Sequence, residues 1–210
     1  MFQLVVSDLG TIKACQNILT EMPGKIRVAV RNASMDAIKA VKAEIPRAVN
    51  KRFDITKAEV RRQMRFRTIS QDQGAYTRYG VVVSGKRIPV MKFNVQPKQP
   101  PSQVGLPVHS RPPVSVTTLR GQPRVGRPNR FVVRMPSGHI GVYMRKAGSK
   151  SLPIRESVSE SVPEMLRTNA IRDDIQGRAT KVFVSAMDRN IKAAMRSREV
   201  AELARLAKAA

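Results

Sequence analysis

Arginine is the residue type with the clearest potential for chemistry in this sequence of 210 residues. Five arginines form a cluster in the second half of the chain: Arg111, Arg120, Arg124, Arg127 and Arg130. A guanidinium group is planar, always charged, and able to donate paired hydrogen bonds to phosphate or carboxylate oxygens. The cluster therefore predicts contact with phosphate groups or with an acidic partner, and contact of this kind does not read a nucleotide sequence.

The arginine cluster belongs to a longer stretch without acidic residues. From Gln73 to Arg155 the chain has 15 lysines and arginines and not one aspartate or glutamate. The whole chain has 39 basic and 15 acidic residues, which gives a net charge of +24. The cations of this stretch are solvated, or they face nucleic acid, an acidic neighbouring chain, or carboxylates from the two ends of this chain.

Motifs for catalysis and metal binding are absent from the sequence. One cysteine excludes an internal disulfide, two histidines disfavour a histidine metal site, and no phosphate-binding glycine loop, GxSxG turn or HExxH pair occurs. Asp173 and Asp174 are adjacent, but neighbouring helix positions point about 100° apart, so we interpret both as charges at a helix N-terminus. The sequence predicts no catalytic residue, no metal, no cofactor and no enzymatic activity.

Neither a membrane span nor a secretory signal is expected. No apolar run approaches the roughly 20 residues that a membrane-spanning helix needs. The first ten residues, MFQLVVSDLG, lack a basic flank and a small-residue cleavage site. The single cysteine suits a reducing compartment.

Helices that could position these side chains are predicted in the first third of the chain. Apolar residues recur at helical spacing from Gly24 to Phe53, and the intervening positions are rich in lysine and arginine. Pro46 is expected to kink this helix or to end it near Glu44. The pattern Thr56-Lys57-Ala58-Glu59 is typical of a capping box and predicts a short helix from Lys57 to about Met64.

The last third of the chain is predicted to be helical as well. An apolar stripe at helical spacing is formed by Ile171, Ile175, Ala179, Val182 and Ala186. The alanine-rich segment from Arg198 onward is also prone to form a helix.

The middle of the chain has the patterns of β-strands. Tyr76–Val83 and Arg87–Phe93 are expected to form a hairpin around Gly85, with Pro89 at a sheet edge or a bulge. Arg130–Met135 and His139–Arg145 are expected to form a second hairpin around Pro136-Ser137-Gly138. Leu152–Val158 is a further candidate strand.

A proline-rich loop is predicted at residues 96–128. It contains eight prolines, which fix φ and lack an amide proton, so little hydrogen-bonded structure is expected. Only Val114–Leu119 has the pattern of a strand there.

Two stretches of the sequence resemble a family of phage proteins. Residues 23–64, PGKIRVAVRNASMDAIKAVKAEIPRAVNKRFDITKAEVRRQM, combine a long helix of small and basic residues with a second basic helix. Residues 130–167 have a hairpin ending in arginine, a Gly-x-x-x-x-Pro-Ile segment and a Val-Pro before the last helix; these positions are Arg145, Gly148, Pro153, Ile154, Val162 and Pro163. Both stretches resemble the minor tail protein Z family of tailed bacteriophages. The chain departs from the family in its extra N-terminal residues and its proline-rich loop.

The resemblance implies a structural protein of the virion. Members of the family act late in tail assembly, at the head-proximal end, and make tails competent to join DNA-filled heads. Related tail-completion proteins have a small α+β fold and assemble as rings around the DNA channel, commonly hexamers. The implied partners are further copies of this chain, other tail and neck proteins, and genomic DNA contacted without sequence preference. The resemblance brings no catalytic or cofactor residues.

Together these observations predict an α+β protein with a small antiparallel, barrel-like sheet flanked by N- and C-terminal amphipathic helices. We expect a single domain over residues 1–210, with a helical part at 1–66, a basic β-rich middle at 67–160 and a helical part at 161–210. The expected function is completion of the phage tail or neck, in the virion and, during assembly, in the host cytoplasm.

Two alternative functions stay open. One is a nucleic-acid-binding protein without sequence preference, associated with ribosomes or chromosomes. The other, weaker alternative is a nuclease, whose two-metal site would need converging carboxylates that the β-rich middle lacks.

Overall fold

The computed structural model describes residues 2–5, 23–72, 77–100, 113–145 and 153–209. The helices in these ranges are α1 (Pro23–Arg52), α2 (Lys57–Gln63), α3 (Val162–Met165) and α4 (Asn169–Ala209), with a 3₁₀ turn at Val90–Lys92. The first strands are β1 (Phe2–Val5), β2 (Met64–Asp72), β3 (Thr77–Gly85), β4 (Arg87–Pro89) and β5 (Asn94–Gln96). The later strands are β6 (Val114–Thr117), β7 (Val125–Arg127), β8 (Arg130–Arg134), β9 (Ile140–Arg145), β10 (Ile154–Glu156) and β11 (Val158–Ser161). The protein is therefore α+β, as the sequence predicts.

The chain forms two compact units, each built from separate segments. Among the described residues, the first, which we call the β-rich unit, contains 46–65, 83–100, 113–145 and 153–171. The second, the helical unit, contains 3–5, 23–45, 66–72, 77–82 and 172–209. The boundary within α1 falls at Pro46.

The helical unit has a core of small and aliphatic side chains. On α1 the predicted apolar positions from Ala33 onward are buried, with Ala33, Ala37 and Val41 fully inaccessible, and Val30 is half-buried. On α4 the predicted stripe is buried except for the half-buried Val182, and Phe183 is buried beside it. Arg189 on α4 donates a hydrogen bond of 2.7 Å to Asp36 on α1, which joins the polar edges of the two helices.

The predicted helix over Gly24–Phe53 is confirmed by α1, whereas the alternative in which Pro46 ends it near Glu44 and the placement of Asp173 and Asp174 at a helix N-terminus are wrong. α1 does not end near Glu44 but continues through Pro46 to Arg52. Its last turn packs in the core through Val49, the following Phe53 is buried as well, and the Arg52 carbonyl accepts a hydrogen bond from the amide of Arg120. These contacts offset the hydrogen bond that proline removes from the helix. Because α4 begins at Asn169, Asp173 and Asp174 lie beyond its first turn rather than at its N-terminus.

The capping box before α2 is formed in part. Thr56 accepts a hydrogen bond of 3.2 Å from the amide of Glu59, as predicted. The Glu59 carboxylate accepts a hydrogen bond from Gln63 at 2.8 Å and lies 3.7 Å from the ammonium group of Lys92. A carboxylate at one end of the chain thus partners a cation of the acid-free stretch.

The strands of the β-rich unit form small antiparallel sheets. β6 lies between β5 and β7, β9 lies between β8 and β10, and β11 pairs with β4. Their inward side chains are mostly valine and isoleucine, with Ile88, Val114 and Val142 fully buried. Among the described strands no sheet closes into a barrel, so the barrel-like sheet expected from the sequence is not observed.

The two predicted hairpins have different outcomes. The second is confirmed: β8 pairs with β9, and Gly138 adopts a positive φ of 84° in the turn. The first is wrong, because β3 lies between β1 and β2 while β4 pairs with β11. Pro89 shortens β4 to three residues, and the β4–β11 register shifts between Val158 and Ser161, which confirms the bulge expected near this proline.

Gly85 ends β3 with an ordinary φ rather than forming the turn that the first hairpin requires. A Cβ atom at this position would collide with the carbonyl oxygen of Gln63. The glycine therefore permits a close approach between two backbone segments.

The proline-rich segment is more ordered than the sequence predicts, within residues 96–100 and 113–128. The strand expected at Val114–Leu119 is present as β6, but β7 also forms there and pairs with β6 from Val125 to Arg127. The tetrapeptide between Pro123 and Pro128 has all of its amide protons, so it can join a ladder of hydrogen bonds. A strand is also confirmed in Leu152–Val158, as β10 at Ile154–Glu156; Leu152 itself lies outside the described residues.

No helix in the described part of the chain combines the length and the apolar character that crossing a membrane would require.

Candidate anion-binding pocket

An open pocket of about 680 Å³ lies in the β-rich unit. Its charged lining consists of four arginines and two glutamates: Arg87, Arg127, Arg130, Arg167, Glu160 and Glu164. Its apolar lining consists of Val90, Val116 and Val158, of which only Val158 is well exposed, at 43%. The pocket is therefore basic and partly apolar.

One side of the pocket is built where β4 meets β11. The antiparallel register places Arg87 opposite Ser161, the residue that precedes α3. Glu164 follows within α3, and its carboxylate lies 3.8 Å from the Arg87 guanidinium. We call this pair of residues, together with Ser161, the compensated side of the pocket.

Glu164 is held in place by Ser161. Its Oε2 atom accepts hydrogen bonds from the Ser161 amide at 2.7 Å and from the Ser161 hydroxyl at 2.9 Å. These hydrogen bonds, followed by the positive charges of Arg87 and Arg167, lower the pKa of Glu164. The carboxylate is therefore ionised at neutral pH and already engaged within the protein.

A second part of the pocket lining is built around a tight turn. Arg127 ends β7 and Arg130 begins β8, with only Pro128 and Asn129 between them. Proline before a residue with positive φ is the combination of a type II turn, and Asn129 has a φ of 61°. This turn keeps the two arginines together, and we call them the uncompensated side.

The guanidinium groups of the uncompensated side lack counter-charge. Burial, and next the neighbouring charge of Arg127, lower the pKa of Arg130. The Nε atom of Arg127 is buried and has no hydrogen-bond partner. Within the described ranges, neither arginine forms an ion pair with a carboxylate. An anion in the pocket would supply the charge that is missing.

The structure brings together two of the five arginines predicted as a site. Arg127 and Arg130 line the pocket, whereas Arg120 is exposed in a turn and does not. Arg124 donates a hydrogen bond of 3.2 Å to the side chain of Asn94 on β5 and does not line the pocket. Arg111 lies outside the described residues.

Sequence reasoning missed Arg87, Arg167 and Glu164 as members of the site. Ser161-Val162-Pro163-Glu164 has the spacing of a capping box, a signal that could have marked the start of a helix and the role of Glu164. Nothing in the sequence near Arg87 indicates that it would lie beside this helix, because the long-range pairing of β4 with β11 places it there.

Comparisons with protein-family models, with curated proteins and with solved structures give no match to this chain. The resemblance of residues 23–64 and 130–167 to the tail protein Z family therefore stays a prediction.

Proposed function

We propose that the chain is a structural protein of the phage tail or neck, a ring subunit that completes the head-proximal end of the tail and enables head–tail joining and DNA passage. The proposal rests on the resemblance of two stretches to the tail protein Z family. The structural observation that supports it best is the basic pocket, whose Arg127 and Arg130 lack counter-charge among the described residues.

A ring makes the missing counter-charge more important. Each added subunit repeats the same pair of guanidinium groups, and charges interact over a screening length of about 8 Å at physiological salt. Repulsion between the copies is therefore strongest where neighbouring guanidinium pairs lie within about that distance of one another, for example around a narrow channel. An acidic partner, or the phosphates of the genome, would lower that repulsion and favour the joined state.

The helical unit offers apolar side chains for contact between subunits. Val28 on α1 and Met195 on α4 are 56% and 45% exposed. A groove of about 320 Å³ beside Val28 is lined by small residues that permit close approach, including Gly24, Ala29 and Ala193. This surface supports the proposed self-association without involving the arginine pocket.

Replacement of the predicted arginine cluster tests the proposal in the phage that encodes the chain. The variant changes Arg111, Arg120, Arg124, Arg127 and Arg130 to glutamine, and the control changes five arginines elsewhere: Arg61, Arg65, Arg67, Arg178 and Arg196. We expect folded protein from both, but fewer joined, infectious particles only from the first. The protein should also be found in purified virions and form rings in negative-stain images; its absence from virions would refute the proposal.

The alternative of a nucleic-acid-binding protein is favoured by the net charge of +24. Binding to phosphates releases counterions, so such a protein would bind duplex DNA with affinity that falls steeply with salt. The alternative predicts DNA binding by the isolated chain and no association with virions. DNA-binding measurements on the purified protein, together with a search for the protein in purified virions, therefore distinguish the two functions.

A further inference from the structure

We infer that the pocket of the β-rich unit binds an acidic side chain carried by an extended segment of a partner protein. This inference rests on the proposed function and names the chemistry of the partner that the pocket receives. It follows from the charge, the lining and the strand edge of the pocket.

The charge of the pocket calls for a carboxylate or a similar anion. Glu164 is occupied by Ser161 and Arg87, so it leaves Arg127 and Arg130 without a counter-ion. Two neighbouring guanidinium groups match the two oxygens of a carboxylate, and charge-assisted hydrogen bonds of this type are about twice as strong as neutral ones.

The glutamates of the pocket favour a protein partner over a nucleic acid. Glu160 and Glu164 lie in the same lining as the arginines. A nucleic-acid strand presents a continuous row of phosphates, and those beside the bound one would approach these carboxylates. An acidic peptide can place one carboxylate at the arginines and uncharged side chains beside the glutamates. The described lining residues also include no aromatic ring on which a base could stack.

The apolar lining and a free strand edge favour an extended segment. Val158, which is 43% exposed, offers a contact to an aliphatic side chain next to the bound carboxylate, whereas Val90 and Val116 are almost fully buried. The volume of about 680 Å³ has room for several side chains. Among the described strands β11 pairs only with β4, and addition of a strand to such an edge is a common way in which an extended peptide binds. Because residues i and i+2 of a strand lie on the same face, a segment with one glutamate and an aliphatic residue two positions away on either side suits this pocket.

Peptide binding by the full-length protein tests the inference. The probe is a fluorescein-labelled ten-residue peptide with one central glutamate, valine two positions away on either side and serine or threonine elsewhere, and its partner has glutamine in place of that glutamate. Fluorescence anisotropy at physiological salt should show binding of the first peptide only. The pocket variant Arg127→Gln/Arg130→Gln should bind it about tenfold or more weakly, the loss expected when two charge-assisted hydrogen bonds are removed.

A control variant separates the pocket from the overall charge. Arg134→Gln/Arg155→Gln removes the same charge from exposed positions on β8 and β10 that do not line the pocket, and it should bind the peptide as the wild type does. Equal losses in both variants would overturn the inference. So would tight binding of a labelled 20-base-pair DNA duplex that is lost only in the pocket variant, because the pocket would then be a nucleic-acid site.

Two further measurements keep the result interpretable. Circular dichroism checks that each variant is folded, and Arg127→Lys/Arg130→Lys retains the charge while losing the paired geometry of arginine. An intermediate loss of peptide affinity in the lysine variant supports the inference, whereas wild-type affinity contradicts it. Failure of peptide binding by a protein found in virions refutes the pocket inference alone. Peptide binding by a protein absent from virions refutes the proposed function alone.

Discussion

The two sides of the arginine pocket differ in how their charges are compensated. On one side Arg87 faces Glu164, whose carboxylate is fixed by two hydrogen bonds from Ser161. On the other side Arg127 and Arg130 are held together by a tight turn, with no carboxylate partner in the described part of the chain. The first arrangement is complete within the protein, whereas the second is complete only when an anion binds.

The two sides also differ in how firmly the fold holds them. On the compensated side, Ile88 and Val90 flank Pro89 and are both buried in the core. On the uncompensated side, β7 is exposed, and its Val125 has 52% of its surface accessible. The strand that carries Arg87 is therefore anchored in the core, whereas β7, which carries Arg127, is not; Arg130 lies next to the buried Phe131 and Val132 of β8.

The largest expected effect comes from breaking the anchor of the compensated side. Ile88→Ala should lower the free energy of unfolding by about 2–5 kcal/mol, because it removes a fully buried side chain next to Arg87. Val125→Ala, the matched control on β7, should change it by less than about 0.5 kcal/mol. Urea denaturation measures both. Similar losses in the two variants would show that the sides do not differ in how the fold holds them.

A smaller, pH-dependent effect is expected from Glu164. Its pKa is lower in the folded protein than in the unfolded chain, so its ionised form stabilises the fold above the ordinary glutamate pKa of about 4.3. This stabilisation is lost as the pH falls below that value and through the folded pKa. The wild type should therefore have a higher urea midpoint than Glu164→Gln at pH 7, and the difference should shrink toward pH 3.

The control for this pH series is Glu160→Gln. It makes the same change of charge in the pocket lining, at a residue that does not share the Ser161 hydrogen bonds. An identical pH-dependent loss in Glu160→Gln would assign the effect to overall charge rather than to the Ser161 network.

The sequence predicted the local parts of this comparison better than the distant ones. The hairpin from Arg130 to Arg145 was predicted because Pro136-Ser137-Gly138 specifies a turn between two strand patterns. Arg127 and Arg130 belong to the arginine cluster proposed from the acid-free stretch, and they lie together in the pocket lining because only the turn at Pro128 and Asn129 separates them. The α+β class followed in the same way from helical spacing at both ends and strand patterns between them.

The rest depended on pairings between distant segments. Arg87 reaches the pocket only because β4 pairs with β11. The sequence of β4, which has only three residues, does not indicate which other strand it pairs with. The helix through Pro46 and the strand β7 between two prolines show the same limit. At Pro46, and between Pro123 and Pro128, the local preference of proline disfavours a helix or a strand. Contacts with distant residues outweigh that preference in both segments.

The smallest effect, and the one that distinguishes the two sides by its sign, concerns removal of single charges. Arg87→Met removes an ion pair that is largely exposed, so it should lower the free energy of unfolding by at most about 1 kcal/mol. Arg127→Met removes a buried, unpartnered Nε atom and a charge that repels Arg130, so stability should rise slightly or stay the same. Because both effects are electrostatic, they should converge as sodium chloride is raised to about 1 M, where the screening length falls to about 3 Å. Urea denaturation of both variants at low and high salt measures the signs. A larger loss of stability at low salt for Arg127→Met than for Arg87→Met would show that Arg127 has a structural role. That result would contradict the proposed difference between the compensated and the uncompensated side.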